Sequence, residues 1–259
     1  MLPATAIFFV FLVVLFAAIV GCQLLGFRLA RQRRANGASA FGKGTTAVTG
    51  SLFALLGLLV AFTISGGEAR LDARRKLIVE EANTISTAYL RLDLLPATAQ
   101  RGLREDFRRY VDARLAYYAN FLDFGRARIE RRNANELQGK LWTDAVHATN
   151  AAPDSRAALL VLPAINQMLD VTTAREAALR THVPLGVFAL LMALALACAF
   201  FAGADMAKTD HPSTLHAVVF AATLALTCYV IVNIELPRLG FSRLGAIDAL
   251  LVQARQQMN

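Results

Sequence analysis

Residues 44–67 read GTTAVTGSLFALLGLLVAFTISGG, 24 positions without one Asp, Glu, Lys, Arg or His, and charged residues crowd the segment that follows from Glu68 to Lys76. A helix rises 1.5 Å per residue and needs about 20 apolar residues to cross the hydrocarbon core of a bilayer. This run is long enough, and Glu68 marks where it leaves lipid. Three more stretches are equally free of charge: Met1–Phe27, Val183–Ala204 and Ala217–Ile234. The pattern predicts four membrane helices, over about 6–27, 46–65, 184–204 and 215–234. The first has no basic residue ahead of it and outlasts the apolar part of a secretory leader, so it reads as a retained helix. Across 259 residues, 56% are hydrophobic and 18% charged, more apolar surface than a water-soluble domain buries.

The formal charge of +8 has a location. Arg28, Arg31, Arg33, Arg34 and Lys43 put five positive charges into the loop between the first two spans, whereas residues 68–182 hold 18 Lys and Arg against 15 Asp and Glu. A nucleic-acid binder needs a basic face on a folded domain. Here the surplus sits mostly beside the membrane, so nucleic acid is not an expected partner and the lipid bilayer is. Cys22, Cys198 and Cys228 all fall in the apolar stretches, which leaves the polar region without a disulfide and the redox compartment open.

The expected fold is all-α, with four transmembrane helices and a helical domain between the second and third. By this division residues 1–66 are the first two spans and their basic loop, and 67–182 the extramembrane domain. Residues 183–236 are the last two spans, and 237–259 a short tail with one amphipathic segment near Ile247–Ala254. In the polar region Ile78, Ala82, Ile85, Tyr89 and Leu92 repeat at alternating four and three, a seam that breaks at Pro96. Leu103, Phe107, Val111, Leu115, Tyr118 and Leu122 make the stripe of a second helix, with Arg101, Arg104 and Arg108 outside it. A third spans about 126–149 with Leu137, Leu141 and Ala145 inward. A fourth starts near Pro153-Asp154-Ser155 and is expected to run on into the membrane past His182, kinked at Pro163 and Pro184.

No constellation for bond-making chemistry emerges, and the chain is not expected to be an enzyme or to carry a cofactor. His147, His182, His211 and His216 form no metal-ligand spacing, so no metal site is predicted. Residues 37–43 fit the start of a phosphate-binding loop, but Gly44 stands where Ser or Thr is required and a membrane helix precedes it, so the match reads as chance. Neighbours on a helix point about 100° apart, and Glu80-Glu81 reads as a solvated face rather than a facing acid and base. Asn233, Glu235, His182 and Asp205 fall at predicted span ends, where interfacial water is expected to satisfy them.

The spans carry small residues at spacing four: Ala17 and Gly21, then Ala189, Ala193 and Ala197, then Ala217, Ala221 and Ala225. Such rows let helix backbones approach closely in lipid. In the second span, Ala47, Ala54, Gly57, Ala61 and Ser65 lie on one side and Leu55, Leu58 and Phe62 about 90° round. If the small side packs on neighbours, the bulky stripe is left to line a dewetted constriction, to face lipid or to join the core.

The segments Leu55–Thr63, Arg70–Lys76, Glu80–Asn83 and Tyr89–Pro96, with Glu235–Phe241 at the end of the last span, resemble the bacterial bestrophin-like membrane proteins. The likeness extends over the whole order of two spans, helical region, two spans and tail. It is weaker toward the bestrophin ion channels: Phe62, Arg70, Arg75 and Lys76 match their pattern, but Thr63 stands where Arg is expected and Leu71-Asp72 where Trp-Trp often sits. The resemblance implies a homo-oligomer, a pentamer in the bestrophins, that passes inorganic ions through a neck lined by second helices. Leu55, Leu58 and Phe62 would then form the pore constriction, and Arg70, Arg75 and Lys76 its mouth.

The resemblance further implies a bacterial inner-membrane location with cytoplasmic termini and a cytoplasmic helical domain. The basic loop at Arg28–Lys43 argues instead for a cytoplasmic loop and an outside domain, while Arg70, Arg74, Arg75 and Lys76 pull the other way. Two functions stay open: an oligomeric ion channel, or a non-conducting sensor or adaptor whose helical domain recognises a ligand or partner and relays it through helices continuous with the membrane.

Overall fold

The computed structural model describes residues 4–36, 45–121, 123–152, 154, 156–208, 214–236 and 245–258. Among them eight α-helices follow one another: α1 (Ala4–Ala35), α2 (Thr45–Arg91), α3 (Ala97–Ala119), α4 (Phe124–Asn150), α5 (Arg156–Arg180), α6 (Leu185–Met206), α7 (Thr214–Glu235) and α8 (Gly245–Gln256). A 3-10 turn, Leu92–Leu94, closes α2 before Pro96, and no strand occurs among the described residues. Four helical segments are long and apolar enough to cross a membrane, with mean hydropathy of 2.8, 2.2, 2.6 and 2.2 in chain order. The 47-residue α2 is about 70 Å long at 1.5 Å per residue, over twice a hydrocarbon core. Its charge-free part ends at Gly67. The match at 37–43, Leu122, Pro153, Ser155, His211 and the segment 237–241 lie outside the described residues.

The helices form two compact units, Met1–Leu71 with His182–Arg243 and Asp72–Thr181 with Leu244–Asn259. In the first, α1, α6, α7 and the membrane part of α2 bury Ile19, Leu56, Leu191, Cys198, Ala225 and Cys228. α1 and α6 approach closely. A Cβ placed on Gly26 would collide with the Phe200 carbonyl oxygen, and one on Gly203 with that of Gln23. Backbone meets backbone here because neither glycine has a side chain to hold the helices apart. The Gln23 side-chain amide is buried at this crossing, and neither of its polar atoms has a hydrogen-bond partner among the described residues.

Several expectations for the spans need correction. Ala17, Gly21, Ala189 and Ala193 are exposed, and the rows that pack are Gly26 with Ala30 and Ala195, Ala199 with Gly203. Two rows at spacing four run along α6, and the one ending in glycine permits the nearer approach. On α7 the expected Ala221 and Ala225 are buried. The small side of α2 is not covered by the described residues of the chain: Ala47, Ala54, Gly57, Ala61 and Ser65 are exposed, and Leu56 and Thr63 turn inward. The fourth polar helix does not continue into the membrane. It stops at Arg180, and α6 begins only after Pro184, whose missing N–H and restriction of Val183 break the hydrogen-bond ladder; Pro163, by contrast, lies inside α5.

In the second unit, α3, α4, α5, α8 and the distal part of α2 enclose Ile85, Phe107, Tyr110, Leu141, Ile165 and Met168. Ile78, Ala82, Ile85, Tyr89 and Leu92 are all buried along α2, as their spacing predicts. Asp123 caps α4, its carboxylate accepting from the Gly125 and Arg126 amides at 3.1 Å. The tail helix α8 is fastened by Leu251 in the core, by Arg255 donating to Asp112 at 2.8 Å, and by Tyr89 Oη donating to the Met258 carbonyl at 2.9 Å.

Candidate functional site

The membrane part of α2 holds the three residues expected at a constriction. Leu55, Leu58 and Phe62 are 51%, 54% and 68% exposed, on the same outward surface as Ala54, Gly57 and Ala61. Three bulky side chains at spacings of three and four share one helix stripe. More than half of each stays uncovered by the described residues of its own chain.

At the distal end of this unit, Glu235 gathers three partners. Its Oε2 accepts from Arg70 at 2.9 and 3.2 Å, and its Oε1 accepts from the Val183 amide at 2.9 Å and lies 3.3 Å from His182 Nδ1. One carboxylate thus ties α2 to the end of α7 and the start of α6, using charge-assisted hydrogen bonds. Nearby on α7, Asn233 Nδ2 donates to Tyr229 Oη at 3.5 Å, and at the far end of α6 Asp205 accepts from Lys208. Each of these groups, expected to meet interfacial water, also has a protein partner among the described residues. Replacing Glu235 with Ala should cost about 1–3 kcal/mol, because Arg70 is half-buried and loses its counter-charge. Thermal unfolding of the detergent-solubilised protein measures this, and an unchanged midpoint would show the clasp to be idle.

The other two residues expected at a pore mouth lie in the second unit. Arg75 pairs with Asp72 at 3.2 Å on an exposed face, and Lys76 is exposed. Arg74, between them and Arg70 in sequence, is buried and donates to the Ala178 and Thr181 carbonyls at 3.1 and 2.7 Å, occupying acceptors left open at the end of α5. The sequence points to this Arg only through its phase, four positions before Ile78 on the buried seam.

The largest departure from expectation is Glu81. Glu80 is exposed, but Glu81 is fully buried, so only half of the pair is a solvated face. Its Oε1 accepts from Arg114 at 2.9 Å, and its Oε2 accepts from Arg175 and, at 3.2 Å, from the Tyr118 hydroxyl. Arg114 also reaches Glu176 at 3.2 Å, and Arg175 reaches Asp248 of α8 at 2.6 Å. Burial pushes the Glu81 carboxyl up, but the Arg114 and Arg175 guanidiniums outweigh it and hold the group below the usual range. Burial likewise raises the Tyr118 hydroxyl well above its ordinary value, so it stays protonated and donates.

No group of three or more His, Cys, Asp and Glu side chains capable of holding a metal converges among the described residues. What the helices define is an all-helical membrane protein with four apolar helices that could span the bilayer and a helical unit outside its apolar segments. Neither a curated protein nor a solved structure matches the chain. The model of the Bestrophin-like domain matches residues 10–245, nearly the whole length, and the chain belongs to the bestrophin-like family.

Proposed function

We propose that this protein is an oligomeric ion channel of the bacterial inner membrane, with α2 from several subunits surrounding the pore. The observation that carries this reading is the outward face of α2. Small residues at Ala47, Ala54 and Ala61 repeat every seven positions, which suits close approach of a second helix, and more than half of each side chain in the Leu55, Leu58 and Phe62 stripe beside them is left uncovered by the described residues. A ring of such side chains makes a constriction that gates by excluding water. The number of subunits, five in the bestrophins, follows from the family likeness alone. Purified protein in liposomes should pass inorganic ions, and Leu58→Ala or Phe62→Ala should raise the flux several-fold by widening the ring. Silent liposomes containing verified oligomers would sink this reading.

A second reading, a non-conducting sensor or adaptor, draws support from the clefts in the helical unit. One of them, about 640 Å³, runs between α3 and α4 with Arg109, Asp112, Glu130 and Lys140 on its walls, mixed charges suited to a polar partner. The flux assay separates the two readings, since a sensor leaves ion permeability at the level of empty liposomes. Neither reading requires bond-making chemistry.

A further inference from the structure

A smaller cleft, about 290 Å³, opens in the helical unit where the end of α3, the start of α4 and the end of α5 meet. Tyr117 and Phe121 form an aromatic wall, their ring centroids 6.4 Å apart and their planes at 73°. Arg128 and Arg131 of α4 and Arg180 of α5 bring three positive charges to the same opening, against one carboxylate, Glu176. That carboxylate is already committed: one oxygen lies 3.2 Å from buried Arg114 and the other 3.6 Å from Arg131. Arg128 and Arg180 have no ion-pair or hydrogen-bond partner among the described residues.

The local electrostatics are unfavourable as they stand. Arg126, Arg128, Arg131 and Arg132 crowd the first three turns of α4; the Asp123 carboxylate caps this helix and lies 3.6 Å from Arg126, so it answers Arg126 and not Arg128. Arg128 and Arg132 are like charges four apart, which destabilises a helix. An anion between Arg128, Arg131 and Arg180 would relieve this repulsion. The aromatic wall adds a preference that a bare ion cannot satisfy, since flat apolar groups stack on Tyr and Phe rings. The volume sits at the bottom of the range of roughly 300–1,000 Å³ for small-molecule pockets, enough for one ring or a short apolar body.

We infer that this cleft binds a small amphiphilic anion, a phosphate or carboxylate carried on an aromatic or short acyl body. Arg180 precedes the apolar α6 by only five positions, so a lipid headgroup is one source of such a group and a free organic phosphate the other. The site is independent of ion conduction, and its test is equilibrium binding.

The full chain in phosphatidylcholine nanodiscs is titrated calorimetrically with phenyl phosphate and with inorganic phosphate. Saturable binding of phenyl phosphate, at least tenfold tighter than inorganic phosphate, is expected. The double variant Arg128→Gln, Arg180→Gln should weaken it at least tenfold while its unliganded unfolding midpoint is unchanged or raised, which excludes simple misfolding. Nanodiscs containing phosphatidylglycerol distinguish the sources. If the occupant is a headgroup, that lipid raises the wild-type midpoint, leaves the double variant's unchanged and competes with phenyl phosphate. If it is a free anion, phenyl phosphate binds equally in both membranes. The absence of both saturable binding and a phosphatidylglycerol effect overturns the inference, as does binding that the double variant retains in full.

Discussion

Replacing Glu81 with Gln is expected to destabilise the protein by about 3–5 kcal/mol, the usual cost of removing one partner from a buried ion pair. The side chain keeps its shape but loses its charge, and two guanidiniums on α3 and α5 remain. Arg114 is fully buried and Arg175 is 2% exposed, so neither can turn to water without opening the packing around Phe107, Tyr110 and Ile165. Glu176 and Asp248 compensate only from the margins, each bonded to a single Arg of the pair. Thermal unfolding followed by circular dichroism should show the midpoint falling by on the order of 10 °C.

The same carboxylate sets a pH window. Its folded-state pKa lies below the ordinary 4.5, so its contribution is fully present above that value and is lost as pH falls through the lower folded-state value. Wild-type stability should therefore be flat with respect to this group above pH of about 5 and decline in acid, and the Gln variant should lack that part of the decline. An unchanged midpoint in the Gln variant would mean that the two arginines do not depend on Glu81.

Gly203→Val is expected to have the next largest effect, about 3 kcal/mol, the upper part of the usual range for overpacking. The obstacle is not a flexible side chain that could swing away. The new Cβ would fall within 2.6 Å of the Gln23 carbonyl carbon and closer still to its oxygen, so α1 itself must move away from α6. Gly26, whose Cβ would collide with the Phe200 carbonyl, offers the reciprocal test from the other helix. Separation would also loosen Ala30 against Ala204 and the hydrogen bond from Arg34 to the Ala207 carbonyl, 2.6 Å. Gly102→Ala on the exposed side of α3 is the control, because a Cβ there meets nothing within 4 Å among the described residues. A Gly203→Val variant that unfolds with the wild-type midpoint in detergent would show that the close crossing is dispensable.

Much of the fold is legible because lipid imposes a simple rule. Four charge-free runs of sufficient length leave little choice about which helices are apolar enough to cross a bilayer, and the four-three spacing of Ile78 to Leu92 marks the buried side of α2 without ambiguity. What stays hidden in the sequence are choices between equivalent rows. α6 offers two small-residue stripes, and only the structure reveals that Ala195, Ala199 and Gly203 are buried, with Gly203 against Gln23 of α1, while Ala189 and Ala193 are exposed. Pro184 permits either a kink or a stop, and the outcome is a stop. Glu81 is easily passed over because its neighbour Glu80 invites a surface reading, yet it stands three positions after Ile78 and four before Ile85, squarely in phase with the core. Arg114, in phase with Tyr110, Val111 and Tyr118, carries the matching signal. Two inward charges of opposite sign on different helices are the sequence trace of a buried pair, visible only when both phases are compared.

The placement of α8 bears on how the chain matures during synthesis. Its Leu251 and the Met258 just beyond it are core residues of a unit whose other parts, Asp72–Thr181, leave the ribosome long before them, with both α6 and α7 in between. Until residues 245–258 emerge, the apolar surface meant for Leu251 and the guanidinium of Arg175 meant for Asp248 stand uncovered. Completion of the helical unit therefore waits on synthesis of the last two apolar helices, and a nascent chain arrested between α5 and α8 presents a sticky, unfinished surface for chaperones and proteases to recognise.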